Sequence, residues 1–139
     1  MREVFVDTGA WVALALCGDR YHEAAKGVYP DLLHSSQLVT TNLILAEVYI
    51  LLRKNSDSIA SLEFLKSIHA SPRITLVRVE EDLEGEAEEI LAKFCEHQFS
   101  YIDATSFALM RKRKIAEAFA FDRHFSIAGF ALIPTLQGI

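Results

Sequence analysis

Four acidic residues, Asp7, Glu47, Asp103 and Asp122, interrupt or close apolar segments where a solvated carboxylate is out of place. Asp7 ends the run Val4-Phe5-Val6. Glu47 stands inside Leu43-Ile44-Leu45-Ala46-Glu47-Val48-Tyr49-Ile50-Leu51-Leu52. Asp103 follows Tyr101-Ile102, and Asp122 follows Ala118-Phe119-Ala120-Phe121. A buried carboxylate without a partner is costly, and no Lys or Arg is spaced along the chain to neutralise each one. Meeting in space around a divalent cation resolves the difficulty. Two carboxylates ~4 Å apart repel by about 4 kcal/mol at a surface-like dielectric, so four together require cations or protons. A set of carboxylates without Cys and with few His is a hard oxygen site, suited to Mg²⁺ or Mn²⁺ rather than Zn²⁺. In a two-metal arrangement one ion activates a water and the other stabilises the leaving oxygen. Phosphodiester hydrolysis is the reaction class such a cluster serves, with all four acids as candidate catalytic and metal-ligating residues.

The elements that must position these acids alternate between strand and helix. Glu3 to Asp7 reads as a short buried strand, followed by an apolar helix through Leu16. Tyr21 to Ser35 reads as a helix interrupted at Pro30, which lacks a backbone donor. Leu38 to Thr40 is a second strand, and Asn42 a cap for a helix reaching about Asn55. Ser58 to Ala70 is helical, with Ile59, Leu62, Phe64, Leu65 and Ile68 on or near one face. Ile74 to Val79 is β-rich, and an acidic amphipathic helix then runs to about His97. Asp103 opens a helix through about Lys114. Phe119 to Phe121 and Ala131 to Ile133 are the last strands. This alternation predicts an α/β sandwich around a parallel sheet of about five short strands. Ligands of such sheets bind beyond the carboxyl ends of the strands, where Asp7 and Asp122 fall.

Composition sets the outer bounds. The 139 residues suffice for one domain, and 51% hydrophobic with 24% charged residues describes a folded globular chain. No apolar run approaches the ~20 residues of a membrane span, and the first residues lack the pattern of a secretory signal, so the expected location is cytoplasmic. The net charge of −5 argues against a protein that coats nucleic acid by charge alone. The charge is uneven, however, with acids dense from Glu80 to Glu89 and a basic run from Arg111 to Lys114. Cys17 and Cys95 have no metal-binding spacing and sit in apolar stretches, which suits reduced thiols used as small hydrophobes.

The segments Val6-Asp7-Thr8, Thr41-Asn42-Leu43-Ile44-Leu45-Ala46-Glu47-Val48, Tyr101-Ile102-Asp103-Ala104 and Phe121-Asp122-Arg123-His124-Phe125 together resemble the PIN-domain ribonucleases. The likeness is greatest to the VapC-type toxins of bacterial and archaeal toxin–antitoxin pairs, and it spans essentially the whole chain as one PIN-like domain, residues 1–139. It implies a three-layer α/β/α sandwich, a Mg²⁺ or Mn²⁺ site and cleavage of single-stranded RNA. Carried over by position, Asp7, Glu47, Asp103 and Asp122 are its metal-site acids and Thr8 a polar accessory. A cognate antitoxin and a homodimer are the partners it implies. Two positions depart from the pattern: Ala120 stands where a Thr or Ser is common, and His124 where a further acid is common. Both bear on metal or substrate binding, and both leave the four-acid core in place.

Each residue also has an ordinary reading. Asp7 and Asp103 can be helix caps, Asp122 a turn residue, and Glu47 the partner of Arg53. Ser106 lies one helical turn from Asp103 and is a candidate substrate contact, whereas Thr105 and Ser106 can each bond their own backbone. Arg123, beside Asp122, is the favoured phosphate contact, ahead of the Arg111–Lys114 run. His124 can protonate a leaving group or be a structural histidine. The alternative function is a non-catalytic PIN-like module that binds RNA or protein. A phosphotransfer domain with Asp7 as nucleophile, as in haloacid-dehalogenase-like phosphatases, needs a second Asp where this chain has Gly9.

Overall fold

The computed structural model of the protein describes residues 1–135. Within them, five parallel strands form one sheet: β1 (Arg2–Val6), β2 (Ser36–Thr41), β3 (Ile74–Val77), β4 (Glu117–Phe119) and β5 (Ala131–Ile133). Their order is β3-β2-β1-β4-β5. The chain therefore builds outward from β1 to one edge and returns to its other side with β4. That reversal makes the carboxyl ends of β1 and β4 the natural crevice of the sheet. Register there is tight, with Val6 opposite Phe119 and the Asp7 N–H donating to the Phe119 carbonyl at 3.1 Å.

Among the described residues, seven helices flank the sheet in an α/β/α sandwich: α1 (Thr8–Ala15), α2 (His22–Ser35), α3 (Asn42–Asn55), α4 (Ser58–Ala70), α5 (Glu81–Lys93), α6 (Tyr101–Arg113) and α7 (His124–Ile127). Helix α1 packs on α2 and α3, and α3 on α4, while α5 and α6 form a second pair. The central strands carry continuous apolar side chains because both faces are covered. Val4, Phe5, Val6, Leu38 and Val39 are wholly buried. Trp11, 1% exposed, locks α1 onto this core. Its Nε1–H donates to Thr40 Oγ1 at 3.2 Å, and the Thr40 hydroxyl donates to the Val6 carbonyl at 3.1 Å. Truncating such a side chain to alanine costs about 3–5 kcal/mol and would loosen the helix that begins at the first acid.

Several expectations need correction. Helix α2 runs through Pro30 without a break. Pro30 and Lys26, whose carbonyl lacks its usual donor, are both exposed, so water can donate there instead. The cap of α3 is Thr41, whose Oγ1 accepts the Ile44 N–H at 3.1 Å, because β2 extends to that residue. Asn42 instead accepts the Val79 N–H at 2.8 Å, tying down the segment after β3. Ser100, rather than Asp103, caps α6. On α4, Ile59 and Leu62 point outward, at 72% and 48% exposure, while Ile68 enters the core. Cys17 and Cys95 are exposed free thiols rather than buried hydrophobes. The expected domain, residues 1–139, includes 136–139, which lie outside the described residues.

Candidate active site

All four acids open onto one cleft of about 900 Å³ at the carboxyl ends of the strands. Asp7 follows β1 directly and is the N-cap of α1. Its backbone carbonyl accepts the Ala10 and Trp11 N–H groups, and its carboxylate makes no capping bond. The cap is thus made by the main chain, which leaves the side chain to the cleft. Glu47 sits on α3, where its Oε1 accepts the Thr8 hydroxyl at 2.5 Å. Among the described residues it makes no ion pair with Arg53, which is exposed.

Asp103 is the third residue of α6 and shares a capping box with Ser100. Ser100 Oγ accepts the Asp103 N–H at 2.9 Å, and Asp103 Oδ2 accepts the Ser100 N–H at 3.1 Å. Asp122 lies in the turn after β4, its Oδ1 accepting the His124 N–H at 2.9 Å. The ordinary roles of Asp103 and Asp122 in caps and turns are therefore real, and they fix these carboxylates at the cleft.

His124 joins the acids. Its Nδ1 lies 2.9 Å from Asp103 Oδ2, within hydrogen-bond range, and 3.4 Å from Asp122 Oδ1. One ligand atom from each of Asp103, Asp122 and His124 lies within 4.8 Å of the other two, a spacing that can hold a metal ion. Asp7 and Glu47 border the same cleft outside that tightest group. Among the described residues no Lys or Arg pairs with any of the four acids.

The electrostatic consequence falls on Asp7, which is 6% exposed. Burial pushes its carboxyl up to about 8. The Thr8 backbone N–H opposes that shift, and the charges of Asp103, Asp122 and Glu47 add to it. A carboxylate in this position is costly to ionise by itself and stabilised by a nearby cation. Oxygen donors with one imidazole suit a divalent ion such as Mg²⁺ or Mn²⁺, so the residues present fit such a group.

The remaining candidates divide. Thr8 and Arg123 line the cleft, Arg123 being exposed at its mouth. Ser106 does not: it is wholly buried, outside the cleft lining, and its Oγ has no hydrogen-bond partner among the described residues. Thr105 donates to the Ile102 carbonyl at 2.7 Å. Ala120 is buried just past the end of β4 and is not among the residues lining the cleft. The basic run is engaged elsewhere. Arg111 lies over the Phe94 ring, Lys112 pairs with Asp82, Arg113 pairs with Glu3 at 2.6 Å, and Lys114 caps α6. It lies at the far end of the 13-residue α6, about 12–17 Å along the helix from Asp103.

Asp19, Tyr21 and Phe121 also line the cleft, the two rings stacked at 4.4 Å between centroids. Sequence spacing does not reveal this pair, because Tyr21 and Phe121 meet only in the folded chain and their aromatic character is the one local signal.

The PIN domain family matches residues 4–131. The chain is 39% identical over 127 residues to the 23S rRNA-specific endonuclease VapC20 of Mycobacterium tuberculosis, covering 91% of this chain and 95% of that protein. The crystal structure of VapC20, described as a Sarcin-Ricin loop cleaving toxin, superposes with a TM-score of 0.84 at 37% identity, over 92% of this chain and 96% of that one. FitAcB from Neisseria gonorrhoeae shares the fold at a TM-score of 0.69 and 14% identity, over 93% of this chain and 95% of that one.

Proposed function

This chain belongs to the PIN-domain family, and from that premise we propose that it is a metal-dependent endoribonuclease, the toxin of a type II toxin–antitoxin pair. The observation that carries the reading is the convergence of Asp7, Glu47, Asp103 and Asp122 on one cleft, with no Lys or Arg paired to any of them among the described residues. The reaction is hydrolysis of an RNA phosphodiester, leaving 5′-phosphate and 3′-hydroxyl ends. Likeness to a 23S rRNA-specific endonuclease makes the sarcin–ricin loop the first substrate to try.

Asp7, Glu47, Asp103 and Asp122 hold Mg²⁺ or Mn²⁺. When bound, such an ion supplies an acidified water and positive charge opposite the phosphate. Thr8 acts through Glu47, fixing the carboxylate by donating its hydroxyl proton. The Ser100 N–H does the same for Asp103. Arg123, exposed at the cleft mouth, holds a flanking phosphate in place of the distant Arg111–Lys114 run. A small antitoxin restrains the enzyme by occluding the cleft. The exposed apolar side chains Ile50, Ile59 and Leu62 offer protein partners, antitoxin or a second copy in a homodimer, a surface to cover. No helix among the described residues is long and apolar enough to cross a membrane. A cytoplasmic location completes the reading.

The test is cleavage of a synthetic sarcin–ricin stem-loop and of an unstructured RNA, with Mn²⁺, Mg²⁺ or chelator, by wild type and Asp103→Asn. Metal-dependent cleavage by the wild type alone supports the assignment. Inactivity of the wild type on both RNAs with either ion, or full activity of the variant, would sink it.

A further inference from the structure

We propose that His124 is a direct ligand of the ion held by Asp103 and Asp122, and that its nitrogen makes this centre favour Mn²⁺ over Mg²⁺. This rests on the reading above that the cleft holds a divalent cation, and specifies its donor set. The imidazole is placed for that role from three sides. Its Nδ1 edge faces Asp103 Oδ2 at 2.9 Å and Asp122 Oδ1 at 3.4 Å. Its backbone N–H is held by Asp122 Oδ1 at 2.9 Å, which couples the turn to the ring. Its ring packs edge-on against buried Phe99, with centroids 5.2 Å apart and planes at 69°. The Nδ1 nitrogen therefore faces the two carboxylates.

Asp7 is an independent sign that a cation belongs here. It is 6% exposed on the wall of the same cleft, and among the described residues its carboxylate has no side-chain partner. Replacing an oxygen donor by imidazole has a defined chemical effect. Mg²⁺ demands oxygen ligands in near-ideal octahedral geometry and gives up its waters reluctantly. First-row transition ions accept imidazole beside carboxylate, with affinity rising from Mn²⁺ through Co²⁺ to Ni²⁺. The competing role for His124 is a counter-charge that stands in for the ion. The two roles differ in sign: removing a ligand weakens Mn²⁺ binding, whereas removing a competitor strengthens it.

The experiment is calorimetric titration of the full chain with MnCl₂ and MgCl₂, in wild type, His124→Asp and His124→Gln. It is paired with pulsed electron paramagnetic resonance of the Mn²⁺-loaded proteins. The wild type should show ¹⁴N coupling to Mn²⁺ that both variants lack. His124→Gln should lose Mn²⁺ affinity by ~10-fold or more, and His124→Asp should narrow the Mn²⁺ to Mg²⁺ preference by a similar factor. Mn²⁺ bound to the wild type without ¹⁴N coupling, or tighter Mn²⁺ binding in His124→Gln, overturns the proposal and leaves the nuclease reading standing. Absence of binding by either ion in all three folded proteins overturns both. The wild-type spectrum alone decides the point if a variant fails to fold.

Discussion

The two ends of the central strands solve the same electrostatic problem in opposite ways. At the amino ends, charges are matched across strands and helices. Arg2 of β1 meets Glu117 of β4 at 3.2 Å, and Arg113 at the end of α6 meets Glu3 of β1 through two nitrogens, at 2.6 and 3.2 Å. At the carboxyl ends, Asp7, Glu47, Asp103 and Asp122 share a cleft without a Lys or Arg partner among the described residues. The first end is electrically finished when the chain folds. The second is left acid-rich, and its balance has to come from a proton, the imidazole of His124 or an ion. Where a fold leaves like charges together, with nothing gained in packing, the arrangement points to chemistry.

The largest effect expected from breaking the acid-rich end is on rate. Asp103→Asn and Asp7→Asn should lower single-turnover cleavage by ~100-fold or more while circular dichroism stays native. Rates near wild type would move the reaction centre elsewhere. Next comes the ion: Mn²⁺ at ~100 times its dissociation constant should raise wild-type stability by about 2.7 kcal/mol, seen as a rise in Tm. Asp7→Asn should gain clearly less, and equal gains would remove Asp7 from the cation site.

A third contrast needs chelator instead of metal. Burial holds the Asp7 carboxyl at about 8, above its ordinary 3.8. The stability this group contributes is complete below its unfolded pKa and is lost as pH rises through about 8. Metal-free wild type should therefore weaken between pH 5 and 8, and the stability advantage of Asp7→Asn over it should grow across that range. Urea melts at both pH values measure this, and a difference that does not grow with pH would contradict it. The smallest effect belongs to the matched end. Arg113→Ala breaks a partly exposed pair and should cost under ~1 kcal/mol, with cleavage unchanged. A substantial loss of activity would show that the two ends are not independent.

Legibility in the sequence followed the range of the interactions involved. The strands and the four acids could be read because a charge in an apolar run is a local anomaly, as at Val4-Phe5-Val6-Asp7. Their meeting at one sheet edge followed from strand–helix alternation, and the resemblance strengthened it. Local reasoning failed where a tertiary partner decided. Asn42 looks like a cap, yet Thr41 takes that place and Asn42 reaches Val79, 37 residues on. His124 could not be assigned from spacing because its acceptor lies 21 residues away on α6. Ser106 shares a helix with Asp103, but its side chain is wholly buried outside the cleft lining. Helical spacing alone does not say whether a neighbour faces the cleft or the core.

The bond from the Asp7 N–H to the Phe119 carbonyl also bears on synthesis. Asp7 follows β1 directly, but its neighbour Asp122 follows β4, and helices α1 to α6 are made between them. The two acids consequently meet only after β4 has taken its place beside β1, so a nascent chain that has not yet delivered β4 holds no assembled cleft.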